Sequence, residues 1–136
     1  MIKIVTGASR THRASIRSLL YSLRYFGYDT ILFDLGLDTI DATYLQSEFF
    51  DKTVSWQFVD YRRALTSAGI DITRSAGNYQ WKSMVVKEAL NRLHPGVRFL
   101  IWLDSGNIVT QTLDDLLRRI EEFGVYTPAS SGKIKD

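Results

Sequence analysis

Apolar residues along this chain alternate between two rhythms. Nearly continuous apolar runs stand at 2–6 (IKIVT), 30–34 (TILFD), 53–58 (TVSWQF) and 97–103 (VRFLIWL), the pattern of short strands buried on both faces. Between the first two runs the spacing becomes helical. Ile16, Leu19, Leu20 and Leu23 share one face while Arg13, Arg17 and Arg24 fall elsewhere, which predicts an amphipathic helix over 12–26. Asp38 is placed to cap a helix carrying Ile40, Tyr44, Leu45 and Phe49. Residues 60–77 mix serine, glycine and charge without a clean period, so a long connection with a single helical turn is expected there. Asn78 then caps a helix through Leu93 with Val85, Val86, Ala89, Leu90 and Leu93 as its stripe, and Pro95 and Gly96 end it.

The run at 97–103 is the most apolar and is expected at the sheet centre. Thr112 and Asp115 form a variant of the capping box, with Asp in place of Glu, ahead of a helix whose Leu113, Leu116, Leu117, Ile120 and Phe123 share a face. Gly124 stops it, and a short strand is expected over 125–127. Strands alternating with helices predict an α/β domain: a Rossmann-like, mainly parallel sheet with flanking helices. Ligands of such sheets lie beyond the carboxyl ends of the strands, which selects residues 6–12, 34–37 and 104–107.

Composition narrows this picture without redirecting it. The length, 136 residues, suits a single domain, and 17 Lys+Arg against 15 Asp+Glu is too balanced to imply a nucleic-acid partner. There is no cysteine, hence no disulfide framework and no thiolate metal site. No apolar run has the length of a membrane span, and the strand pattern beginning at Met1 leaves no room for a signal peptide, so a cytoplasmic protein is expected.

The segment TGASR at 6–10 has the start of a dinucleotide-binding turn, but the later glycines of the T-G-x-x-x-G-x-G pattern are replaced by Thr11 and Arg13. Tyr79 and Lys82 are also one residue too close for a dehydrogenase Y-x-x-x-K pair. A nicotinamide enzyme is therefore disfavoured. Asp104 ends the most apolar strand in WLDSGNIV (102–109), where it either caps the next turn or serves a ligand. If the helix from Asn78 packs antiparallel to that strand, Lys82 in its first turn meets Asp104. Asp34 reads as the start of a tight Asp-Leu-Gly turn in preference to a nucleotide contact. Arg13, Arg17 and Arg24 read as the solvated side of a helix.

Taken in order, SLLxSL (18–23), FDLGL (33–37), YxWK (79–82) and WLDSGN (102–107) resemble the donor-binding half of GT-A-fold glycosyltransferases, nearest to glycogenin-like enzymes. The resemblance spans nearly the whole chain. It implies a domain that binds a nucleoside-diphosphate sugar, a UDP-sugar foremost, for transfer to an acceptor. The nucleoside would lie at Thr6, Gly7, Ala8, Ser9 and His12, with His12 where the family commonly has a Tyr stacked on uracil. Lys82 and Asp104 would sit at the diphosphate, and Asp104 with Asn107 would hold a divalent cation, Mn²⁺ or Mg²⁺. Two departures stand out. Gly106 occupies the place of the second acid of D-x-D, and the later segment that carries the acceptor pocket and a metal-binding His has no counterpart here. His94, before Pro95, falls at the opposite edge of the sheet. The resemblance names no catalytic base or nucleophile, and a non-catalytic nucleotide-sugar-binding module is the alternative reading.

Overall fold

A computed structural model describes residues 2–52, 54–72 and 80–124. Its centre is a four-stranded parallel sheet of β1 (Ile2–Ser9), β2 (Thr30–Gly36), β3 (Gln57–Asp60) and β4 (Phe99–Trp102), in the order β3-β2-β1-β4. The helices are α1 (Arg13–Phe26), α2 (Thr39–Leu45), α3 (Arg62–Ser67), α4 (Gln80–Asn91) and α5 (Asp114–Phe123). A 3₁₀ turn, Arg10–His12, leads into α1, and α2 continues into a π-helical turn, Gln46–Phe50. This is the expected α/β fold with a parallel sheet and flanking helices.

Side chains of a strand alternate between faces, and that alternation builds two cores. Ile4, Ala8 and Leu32 face Ile16, Leu19, Leu20 and Leu23 of α1, together with Leu45 and Phe49. Leu116, Leu117 and Ile120 of α5 close over the same cluster. The intervening Val5, Ile31, Phe33 and Leu35 face Leu65 of α3 and Val85 and Ala89 of α4. A sheet covered twice has no polar face, which is why its strands read as unbroken apolar runs.

Several sequence expectations shift. The strand expected at 97–103 is shorter and, among the described residues, is not central: β4 pairs with β1 alone, at the end of the sheet. Its apolarity reports the packing on its two faces, where Leu100 and Trp102 join one core and Ile101 the other, and carries no information about neighbours along its edges. The centre is β1 and β2. The third strand lies at Gln57–Asp60, later than the run at 53–58, with Trp56 packed as a core residue ahead of it. Ile40, expected on a buried face, is 83% exposed, and the Asp38 side chain makes no capping hydrogen bond. Leu90 and Phe123 are likewise exposed. The capping box at Thr112 does not form: Leu113 is the N-cap, and the Thr112 hydroxyl donates to Asp114 instead. The helical turn expected within 60–77 is α3. The Asn78 cap and the strand at 125–127 lie outside the described residues.

Because all four strands run the same way, Ser9, Gly36, Asp60 and Trp102 end on one edge. The chemistry-bearing residues gather there.

Candidate functional site

The first loop begins later than the sequence suggests. β1 does not turn at Thr6 but runs on through Gly7 and Ala8 to Ser9, with an irregularity in its pairing to β2 between Ala8 and Ser9. Thr6 and Ala8 are therefore interior, 0% and 1% exposed, and Thr6 Oγ1 has no hydrogen-bond partner among the described residues. Of the residues expected at the nucleoside, only Ser9 and His12 present side chains at the surface. Gly7 serves packing: a Cβ there would meet Leu35 Cδ1 at 2.9 Å and Trp102 Cη2 at 3.4 Å, so its missing side chain lets both lie close on the strand. Beyond the strand, His12 Nδ1 lies 3.2 Å from Ser9 Oγ and 3.1 Å from Thr11 Oγ1. Two hydroxyls thus hold one ring nitrogen, and Nε2 is the ring's other hydrogen-bonding atom.

At the end of β4, Asp104 and Lys82 come together. Lys82 stands in the first turn of α4, and its Nζ donates to Asp104 Oδ1 at 3.1 Å. Trp102 Nε1 donates to the same oxygen at 2.7 Å. The Lys82 ammonium lies 5.7 Å from the Trp81 ring centre and 5.5 Å from that of Trp102, while the two indoles sit 5.8 Å apart at 58°. Such placements stabilise a cation through the ring quadrupoles. Partial desolvation would raise the Asp104 carboxyl. The hydrogen bonds from Trp102 and Lys82, with the charges of Lys82 and His12, outweigh it and hold the group below the ordinary carboxylate range. The charge of His12 acts on Asp104 from the neighbouring strand end, since β1 and β4 pair in parallel.

The indoles are what the sequence reading missed. The signal is present, with Trp81 beside Lys82 and Trp102 two residues before Asp104, but an indole serves a core as readily as it flanks a cation.

The donor set is a poor one for a hard divalent cation. Mn²⁺ and Mg²⁺ take about six oxygen ligands, of which a protein gives one or two carboxylates while water and substrate phosphates give the rest. Asp104 is one carboxylate whose Oδ1 already holds an ammonium and an indole N–H. The backbone N–H of Asn107 and its Nδ2 both donate to the Asp104 carbonyl, at 2.9 and 3.1 Å, as in a turn. Among the described residues no three His, Asp or Glu side chains gather.

The other flank of the edge is organised differently. Asp34, 1% exposed, accepts the backbone N–H of Gly36 at 2.9 Å and of Leu37 at 2.8 Å through Oδ1. Gly36 turns at φ 143°, where a side chain would be strained, so the Asp-Leu-Gly turn forms as expected. Arg62 donates to Asp60 from Nε at 2.9 Å and Nη2 at 2.7 Å, and its Nε lies 3.8 Å from Asp34 Oδ2. The hydrogen bond from Arg62 leads in holding the Asp60 carboxyl below its ordinary range, and the paired acids raise the Arg62 guanidinium. A cleft of about 440 Å³ opens beside it, lined by Gly36, Arg62, Leu65 and Ile70 among others. The helix arginines are also paired, Arg13 with Asp41 at 3.9 Å and Arg24 with Glu48 at 3.2 Å.

No helix among the described residues is long and apolar enough to cross a membrane. A scan against protein-family models, a search of curated proteins and a search of solved structures each find no match for the chain.

Proposed function

We propose that the chain binds a nucleoside-diphosphate sugar at the carboxyl ends of β1 and β4 and acts as the donor-binding domain of a glycosyltransferase, a UDP-sugar being the first candidate. The observation that carries this reading is the meeting of Lys82 and Asp104 at that edge, within electrostatic reach of His12. A diphosphate is an anion that must be neutralised both in the bound state and as it departs. Lys82, ion-paired and flanked by indoles, is a cation held ready for that charge. Ser9 and His12 offer a hydroxyl and a ring to the nucleoside, in the manner the family resemblance implies. Thr6, Gly7 and Ala8 support that end of β1 from within and shape it without touching the ligand. The composition, free of cysteine, fits work in the cytoplasm.

In this reading Lys82 leads at the diphosphate and Asp104 positions it, orienting the ammonium through Oδ1. A binding module without catalysis is favoured by one feature: Gly106 in place of the second acid of D-x-D. Incubation with radiolabelled UDP-sugars separates the two. Transfer to an acceptor, or slow hydrolysis to UDP, supports the enzyme. Binding without either supports the module, and micromolar NAD binding with no response to UDP rejects both.

A further inference from the structure

We propose that this site binds its diphosphate without a divalent cation, the Lys82 ammonium standing where enzymes of the kind the sequence resembles place a metal ion. The inference rests on the nucleotide-sugar reading and goes beyond it. Its ground is the competition for a single carboxylate. Asp104 Oδ1 accepts Trp102 Nε1–H at 2.7 Å and Lys82 Nζ at 3.1 Å, so a metal on either oxygen of that carboxylate would sit close to a positive charge. Moving Lys82 aside would remove it from the ring faces at 5.7 and 5.5 Å and break its ion pair.

Nor do the described neighbours of Asp104 add a second carboxylate. Gly106 has no side chain, and among the described residues no three His, Asp or Glu side chains gather. An ammonium carries three donors, and an oxyanion accepts them in charge-assisted hydrogen bonds.

The test is calorimetric titration of UDP into the chain, once in EDTA and once in millimolar MnCl₂, with the parent and with Lys82→Ala. The site proposed here gives the parent the same dissociation constant in both buffers. Lys82→Ala loses about tenfold or more in both, the scale of a hydrogen bond to a charged group, and Mn²⁺ does not restore it. Paramagnetic resonance of MnCl₂ with the parent alone shows only free aqueous ion. Parent binding that needs Mn²⁺, rescue of Lys82→Ala by Mn²⁺, or a protein-bound Mn²⁺ signal overturns the metal-free site and leaves the nucleotide reading standing. No binding of UDP in either buffer removes the nucleotide reading and this inference together.

Discussion

The two flanks of the sheet's carboxyl edge use the same materials to different ends. On the β2 and β3 side, Asp34, Asp60 and Arg62 satisfy one another and the backbone: a buried carboxylate holds two N–H groups, and the guanidinium is shared between two acids. On the β1 and β4 side, one ammonium and one carboxylate meet at the surface, with Asp104 Oδ2 and His12 Nε2 outside that pairing. An acid at a strand end is therefore no indicator of function by itself. What separates the flanks is burial: a carboxylate 2% exposed anchors the turn after β2 on the closed flank, while on the open flank the Lys82 and Asp104 side chains are 33% and 64% exposed.

The largest effect expected follows from the closed flank. Asp34→Ala strips the acceptor from the N–H groups of Gly36 and Leu37 and should cost about 3 kcal/mol, since each donor left unsatisfied in a buried turn costs roughly 1–3 kcal/mol. In a chain of this size that lowers the melting temperature by on the order of 10 °C. Asp104→Asn, at an exposed ion pair, should change stability by less than about 1 kcal/mol. Equal losses for the two variants, by thermal denaturation, would erase the distinction between the flanks.

Next comes binding. Arg62→Ala should leave UDP affinity within about twofold of the parent, whereas Asp104→Asn, which loosens Lys82 without removing its charge, should weaken it several-fold, an effect of roughly 1 kcal/mol. Fluorescence or calorimetric titration of the two variants measures the ratio. If Arg62→Ala is the more damaging, the ligand lies in the cleft beside Gly36 and Leu65.

Acid sharpens the contrast further. Asp60 and Asp104 are both held below the ordinary carboxylate range when folded, so each adds stability above the unfolded value, near pH 4, that is lost as pH falls through the folded one. Carbon-detected NMR titration should show both. In Lys82→Ala the Asp104 midpoint should rise while that of Asp60 stays in place.

The smallest effect is expected at Gly7. Gly7→Ala pushes on the end of a flexible Leu35 side chain and should cost about 1 kcal/mol or less, with UDP affinity kept. Abolished binding with normal stability would mean that the backbone at Gly7 approaches the ligand after all.

The face of the longest helix and of the strands is legible in the sequence, while the stripes of the other helices are legible only in part, since Ile40, Leu90 and Phe123 are exposed, and patterns that depend on strand edges are not legible. α1 carries its stripe where the spacing puts it, and Ile16, Leu19, Leu20 and Leu23 are wholly buried. The same logic failed to place β4, because apolarity records covering helices and not strand neighbours. Nor does it say how Lys3, a charge inside an apolar run, is accommodated: the side chain is 2% exposed, and its ammonium reaches the Ser55 carbonyl at 3.1 Å, a partner distant in sequence. At the site, Lys82 and Asp104 were foreseeable because one antiparallel helix and strand suffice to join them. The end of β1 was misjudged, since small residues such as Gly7 and Ala8 suit a turn and a tightly packed strand equally well. Only the neighbours Leu35 and Trp102 decide between them.

The most direct measurement is amide and indole chemical-shift mapping of the isotope-labelled chain as UDP is added. The open flank predicts saturable shifts at Ser9, Thr11, His12 and Arg13, at Lys82, at the Trp102 indole N–H and through 104–107, with 34–37 and 60–62 unmoved. Shifts confined to Gly36, Arg62 and their neighbours, or no saturable shifts at millimolar UDP, would contradict it.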